Sequence, residues 1–218
     1  MRKNEPLNHF LTHRFTVGFD LDLTLVDTRP GIRAAYVALA AATGTHIDVD
    51  VAADHVDVPL EQELRNWFPE DRVPRARDIC ISGYPRHGIT LSQAMPGAHG
   101  AVAAVRALGG RALIATARHS RNARLHLDHL RIEPDVVEGS LWAADRARAL
   151  RRYDTAVHVG DHADDMHGAR TAGALAVGVL TGTCTEETLR SAGAQVVLPG
   201  LAHFPAWLHH YLTTPPRR

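Results

Sequence analysis

The chain has 218 residues, of which 45% are hydrophobic and 22% charged, with 24 Lys+Arg set against 24 Asp+Glu. That apolar content excludes disorder as the main state, the absence of net charge argues against a broad nucleic-acid footprint, and two cysteines without a CxxC exclude a disulfide framework or a Cys-based zinc site. No stretch reaches the roughly 18 unbroken apolar residues of a bilayer span, and the basic start MRKNEPLNHFLTHRF has no apolar leader segment, so a cytoplasmic protein is expected.

The first element is an apolar run, Phe15 to Phe19, bounded by polar residues and read as a buried strand. Pro30 then opens a helix with the face Ile32, Ala35, Tyr36 and Leu39, ending near Gly44. Leu60, Leu64, Trp67 and Phe68 form a second helical stripe, and Val73 to Ile81 a weaker third. No strand is predicted in this stretch. From about residue 97 the pattern changes to strict alternation. Ala98, Ala101, Val102, Val105 and Leu108 share a helical face closed by Gly109-Gly110. Strand-like runs follow at Ala112 to Ala115, Ala156 to Val159, Ala176 to Val179 and Gln195 to Leu198, with a helix at Ala163 to Ala172. Alternating strands and helices predict an α/β fold with a Rossmann-like, doubly wound parallel sheet. The helical stretch is then an insertion after the first strand. Residues 1–28 and 94–218 are expected to form the core domain, and 29–93 an all-helical cap. The 15 histidines are scattered, without an HExxH, and most are expected at the surface.

Chemistry-bearing residues follow the strands, where open α/β sheets place their sites. Asp20 and Asp22 close the first strand in FDLDLT, and their i, i+2 spacing turns both the same way. Asp161, Asp164 and Asp165 lie in VGDHADD after the third core strand, and all-oxygen acid sets suit Mg²⁺ rather than zinc. Thr116 ends the strand in ALIATAR, where its hydroxyl and the following backbone N–H, that of Ala117, can hold a phosphate oxygen. Arg146, in WAADRARALRRY, is a fixed cation near the crevice, with Arg148 two residues away as the other choice.

In this order (strand-DxDxT, helical insertion, strand-Thr, helix-Arg, strand-GDxxxD) the set resembles the haloacid dehalogenase superfamily, in its phosphoglycolate-phosphatase-like branch with a small helical cap. The likeness runs from about Arg14 to Leu212. It implies a Mg²⁺-dependent phosphatase acting on a small phosphomonoester: phosphoglycolate-like, a nucleotide or a sugar phosphate. It further implies that Asp20 is the nucleophile that becomes an aspartyl-phosphate, and Asp22 the general acid/base that also ligates the metal through its carbonyl. Thr116, Ala117 and Arg146 would bind phosphate, and Asp161 and Asp165 would complete the metal set with Asp20 and Asp22. Two positions depart from the family pattern: Arg146 stands where the family usually has lysine, in a chain whose only lysine is Lys3, and Leu23 stands where many relatives have glycine. Asp22 argues against a dehalogenase, which lacks that acid. The alternatives are a phosphomutase or phosphotransferase of the same superfamily, or a non-catalytic binding relative. Expected partners are a small phosphate ester, with no nucleic acid and no membrane, in a monomer or homodimer. Arg75, Arg77 and Arg86 are read as cap surface or as contacts to an anionic substrate group. The face Phe204, Trp207, Leu208 and Leu212 near the C-terminus is expected to pack on the core.

Overall fold

The computed structural model describes residues 15–56, 58–142 and 144–214; the N-terminal reading and Lys3 lie outside them. The chain begins with β1 (Thr16–Phe19), buried at every position, and a short β2 (Val26–Asp27). Four helices follow: α1 (Arg29–Thr43), α2 (Val49–Asp54), α3 (Leu60–Leu64) and α4 (Val73–His87). Pro30 in the first turn starts α1 and Gly44, in the left-handed region at φ 66°, ends it, as the sequence predicts. The α2 helix was not predicted; Asp48 caps it by accepting from the N–H groups of Asp50 and Val51. Tyr36, Leu39, Ile47, Ala52, Leu64, Phe68, Val73, Ala76 and Cys80 form a buried apolar cluster within this segment.

The chain returns through β3 (Gln93–Ala94), which pairs antiparallel with β2, Val26 opposite Ala94 and Asp27 opposite Gln93. The alternation then runs α5 (Ala98–Ala107), β4 (Arg111–Ala115), α6 (Ser120–Leu130), β5 (Val136–Glu138), α7 (Ala144–Arg152), β6 (Thr155–Gly160), α8 (Ala163–Ala172), β7 (Leu175–Val179), α9 (Glu186–Ser191), β8 (Val196–Leu198) and α10 (Phe204–Thr213). The six longer-range strands form one parallel sheet in the order β5-β4-β1-β6-β7-β8. Alternate residues of each strand face opposite layers. Ala112 and Ile114 of β4 join the cluster that contains Val102 and Val105 of α5, Leu127 of α6 and Phe204 and Leu208 of α10. Leu113 and Ala115 turn the other way, onto Leu150 of α7, and Met166 of α8 packs with Ala176 of β7 and Leu189 of α9. The expected C-terminal packing is present: Phe204, Leu208 and Leu212 are buried, and Phe204 meets the Phe19 ring edge-on at 5.3 Å.

Candidate active site

The central strand sets the geometry. β1 lies between β4 and β6, with Phe19 level with Ile114 on one side and Val159 on the other. The residues just beyond these strands therefore sit on one edge of the sheet: Asp20 after β1, Thr116 after β4, Asp161 after β6. The Asp20 N–H donates to Val159 O at 2.9 Å, which ties the loop to its neighbour. The chain then folds tightly back, with the N–H groups of Leu25 and Val26 both donating to Leu21 O at 2.9 Å. Leu23 takes φ 54° in this turn, the left-handed region a leucine adopts at a cost of about 1–2 kcal/mol. Its side chain is 1% exposed, and burying a leucine contributes roughly 1.5–3 kcal/mol. Burial thus offsets the strain and explains how this turn manages without glycine.

Asp20, Asp161 and Asp165 are all buried, and each offers an oxygen within 4.8 Å of the others. Thr24 donates its hydroxyl to Asp161 Oδ1 at 2.5 Å. Asp165 is held twice: its Oδ2 accepts from the His162 N–H at 3.1 Å in the capping box of α8, and its Oδ1 pairs with Arg146 Nη1. Neighbouring glycines make room, since a Cβ at Gly182 would overlap the Asp161 carboxylate and one at Gly160 that of Asp165. Arg146 is 6% exposed, and its Nη2 lies 3.5 Å from Asp20 Oδ1. Its Nε has no hydrogen-bond partner among the described residues. Arg148, by contrast, is on the surface and pairs with Asp145, so Arg146 is the arginine brought to the carboxylates. Behind them His158 is fully buried, with Nε2 3.4 Å from Asp165 Oδ1. Burial, reinforced by the Arg146 charge, pushes its pKa down to about 3, so the imidazole is neutral near neutral pH. Among the described residues, His158 and His126 are the buried exceptions to the expectation of mostly surface histidines.

Asp22 is placed differently. Its carboxylate is not one of the trio and is held by a pair of donors that sequence reasoning missed or undervalued. Arg118 Nη2 donates to Oδ1 at 2.6 Å, and Arg118 Nε reaches Oδ1 at 3.1 Å and Oδ2 at 3.0 Å. Thr28 donates its hydroxyl to Oδ1 at 2.6 Å. Burial works to raise the Asp22 pKa, but the Arg118 charge and these hydrogen bonds outweigh it and hold the carboxyl below its ordinary value. Arg118 is two residues past Thr116, on the same strand-end loop; that position was the available signal. Thr116 itself is 1% exposed, and its Oγ1 accepts from the Arg118 N–H at 3.2 Å. Ala117, half-buried, lies between them.

The Arg118 guanidinium lies 5.1 Å from the ring centroid of Tyr84, a residue of α4. Tyr84 Oη is 3.0 Å from His126 Nε2, and His126 Nδ1 is 2.9 Å from Ser92 Oγ. Ser92 donates its hydroxyl to Ile89 O at 2.6 Å. That fixes the tautomer: Nδ1–H donates to Ser92, and Nε2 accepts from Tyr84. Burial, aided by the Arg118 charge, lowers the His126 pKa to about 3. A cavity of about 170 Å³ opens beside this chain, walled by Ile32, Tyr36, His55, Tyr84, Arg118 and Asn122 among others. Arg75, Arg77 and Arg86 do not line it. Arg75 borders a separate hollow of about 330 Å³ with Arg72 and Phe68, and Arg77 pairs with Glu61. Asp164 is exposed in the first turn of α8.

Open parallel sheets place their ligand sites at the strand C-termini, where the strand order reverses, and the buried carboxylates and Arg146 lie at that edge here. The chain belongs to the haloacid dehalogenase-like hydrolase family, whose model matches residues 16–173. No curated protein sequence matches the chain. Solved structures do. A haloacid dehalogenase-like family hydrolase from Streptococcus pneumoniae is 24% identical, covering 93% of this chain and 100% of its own with a TM-score of 0.77. A predicted phosphoglycolate phosphatase from Haemophilus somnus is 16% identical over 89% of this chain and 98% of its own, at 0.71. CbbY from Rhodobacter sphaeroides, in complex with phosphate, is 17% identical over 87% and 96%, at 0.69. These likenesses establish a shared fold. Among the described residues, no helix is long and apolar enough to cross a membrane.

Proposed function

We propose that the protein is a phosphatase that hydrolyses a small phosphomonoester through an aspartyl-phosphate on Asp20. The observation that supports it best is the buried trio Asp20, Asp161 and Asp165 with Arg146 3.5 Å from Asp20. Three carboxylates this close in a buried space repel one another, and all their ligand atoms are oxygens. Such a set fits a hard divalent cation, of which Mg²⁺ suits an all-oxygen site best. Asp20, Asp161 and the Asp22 carbonyl would hold it, with Asp165 in support. When bound, it would supply charge neutralisation between an anionic nucleophile and an anionic phosphate.

The chain's own residues do the rest. An Asp20 oxygen attacks phosphorus and the ester oxygen leaves, taking a proton from Asp22. A phosphate dianion arriving beside Asp22 adds negative charge and raises its affinity for that proton. The Asp22 carboxylate then takes a proton from water as the water attacks the phosphorus of the aspartyl-phosphate, freeing Asp20 and inorganic phosphate. The Thr116 hydroxyl, the Ala117 N–H and Arg146 would bind the phosphate oxygens, with the otherwise unpartnered Arg146 Nε as one available donor. Residues 29–93 would act as a cap domain over the core formed by 1–28 and 94–218, with the leaving group in the cavity between Tyr36, Tyr84 and Arg118.

The test is hydrolysis of p-nitrophenyl phosphate and of a panel of natural phosphomonoesters by wild type and Asp20→Asn, each with Mg²⁺ and with EDTA. Metal-dependent release of inorganic phosphate, lowered by at least about a thousand-fold in Asp20→Asn, is expected. Metal-independent turnover, or full activity in Asp20→Asn, would overturn the reading. Phosphate retained on a second sugar phosphate rather than released would identify a phosphomutase instead.

A further inference from the structure

Arg118 carries a further role, one that rests on the phosphatase reading above. We propose that Arg118 is the positioning residue for Asp22, and that Tyr84 from α4 seats Arg118 in turn. Both partners are largely withdrawn from water: the side chains of Arg118 and Asp22 are 14% and 12% exposed. The two carboxylate oxygens are treated unequally. Oδ1 takes Arg118 Nη2 and Thr28 Oγ1 at 2.6 Å and a longer Arg118 Nε contact, whereas Oδ2 takes Arg118 Nε alone, at 3.0 Å. Oδ1 is thereby the more heavily bonded oxygen, and Oδ2, which accepts one hydrogen bond and keeps a lone pair, is the one that carries the proton to and from the reacting oxygens. A fork held by two nitrogens sets the rotation of the carboxylate, which a single point charge does not.

Arg118 is braced from the other side. The Tyr84 ring covers the guanidinium at 5.1 Å, and Tyr84 is anchored through His126 to Ser92, with distances of 3.0 and 2.9 Å. Tyr84 belongs to the helical segment; Arg118 and His126 belong to the α/β part. The orientation of Asp22 is therefore linked to the seating of α4 against α6. Leaving groups that need a proton depend on that orientation, and those that depart unaided do not.

A double-mutant cycle separates this role from general support of the fold. Single-turnover and steady-state rates would be measured for wild type, Arg118→Gln, Arg118→Lys, Asp22→Asn and Asp22→Asn/Arg118→Gln. The substrates are p-nitrophenyl phosphate, whose leaving group departs without a proton, and an alkyl phosphate that wild type turns over. Arg118→Gln is expected to slow phosphoryl transfer from the alkyl ester by about a hundred-fold. The p-nitrophenol burst should change by less than about three-fold. In the Asp22→Asn background the same change should cost less than about three-fold on either substrate. Arg118→Lys keeps the charge and loses the fork, and should fall between. Equal losses on both substrates, or the same factor with and without the Asp22 carboxylate, would overturn the role while leaving the phosphatase reading intact. A wild type silent on every ester would remove both. Melting curves identify a variant that fails to fold, and Tyr84→Phe then carries the test. It keeps the ring over Arg118 and cuts the link to His126, so it should reproduce the alkyl-specific loss at about ten-fold or less; no alkyl-specific loss there overturns the brace.

Discussion

A lone buried carboxylate and a buried cluster of three are built on opposite plans in this protein. In the helical segment, Glu63 is 1% exposed, and its carboxylate faces neutral or titratable donors: Trp67 Nε1 at 2.8 Å, Asn66 Nδ2 at 3.0 Å and His55 Nδ1 at 2.8 Å. One charge is met by three donors, and the group ties α3 to the loops on either side. At the sheet edge, Asp20, Asp161 and Asp165 are crowded within 4.8 Å, with the Arg146 guanidinium beside Asp20 and Asp165 and the Thr24 hydroxyl on Asp161. Like charges confined in a buried space oppose folding. A satisfied carboxylate marks support, and a crowded set marks a place where stability is given up for chemistry.

The contrast predicts opposite responses to mutation. The largest effect belongs to Glu63→Ala, which strips three donors of their partner. We expect a loss of about 3 kcal/mol in urea unfolding; a variant as stable as wild type would show that Glu63 is dispensable. Asp161→Asn removes one of three like charges while keeping an acceptor for Thr24, so in EDTA its melting temperature should equal or exceed that of wild type. Wild type should gain about 2.7 kcal/mol at Mg²⁺ a hundred times above its dissociation constant, and Asp161→Asn should gain little. A melting temperature in EDTA well below wild type, or an equal gain from Mg²⁺, would break the comparison.

The smallest effect lies where the two regions meet. His126 is neutral in the fold, its pKa down at about 3 through burial and the Arg118 charge, against about 6.5 for a free imidazole. A depressed folded value means that the unfolded chain takes the proton first. The stability this residue contributes is whole above about pH 6.5 and falls away toward pH 3, by up to about 1.4 kcal/mol per pH unit. Against His126→Asn, wild type should therefore lose its advantage in melts taken from pH 7 down to pH 5. A gap independent of pH would show that His126 does not titrate as its surroundings dictate.

The sequence made the frame of the sheet legible because its strands are buried on both faces and read as apolar runs. The edge strand β5 was not legible. Val136–Glu138 has two apolar residues, and its strand character comes from pairing with Leu113 to Ala115. The helix α6 was missed for a related reason: in SRNARLHLDHL only Ala123, His126 and Leu127 are buried, too few for a stripe. Asp20, Asp22, Thr116, Asp161 and Asp165 could be singled out because they follow strands in a recognisable order, and Arg146 because its helix falls between them in that order; the fold brings Asp20, Arg146, Asp161 and Asp165 together. What the order could not reveal is direction. Asp20 and Asp22 leave the strand together, yet Asp22 faces Arg118 and Thr28, whose pull is a property of the folded loops. Arg118 carried no pattern of its own, and the Tyr84–His126–Ser92 chain joins residues 34 and 42 positions apart in sequence.

The small ribbon of β2 and β3 has a consequence for how this architecture can be altered. Asp27 and Gln93 are neighbours across it, so the chain leaves for its helical excursion and comes back at a single point. Strand partners lie only about 5 Å apart, a gap that a two-residue Asn-Gly turn closes. The layout is that of a socket: with Asp27 and Gln93 joined by such a turn in place of Thr28 to Ser92, the six-stranded sheet is expected to fold on its own, as a cooperative melt would show. All six strands of the large sheet, with Asp20, Asp161, Asp165 and Arg146, stay outside the join. Thr28 and Tyr84 leave with the cassette while Arg118 stays, so each insert brings part of what sets Asp22 and the core supplies the rest.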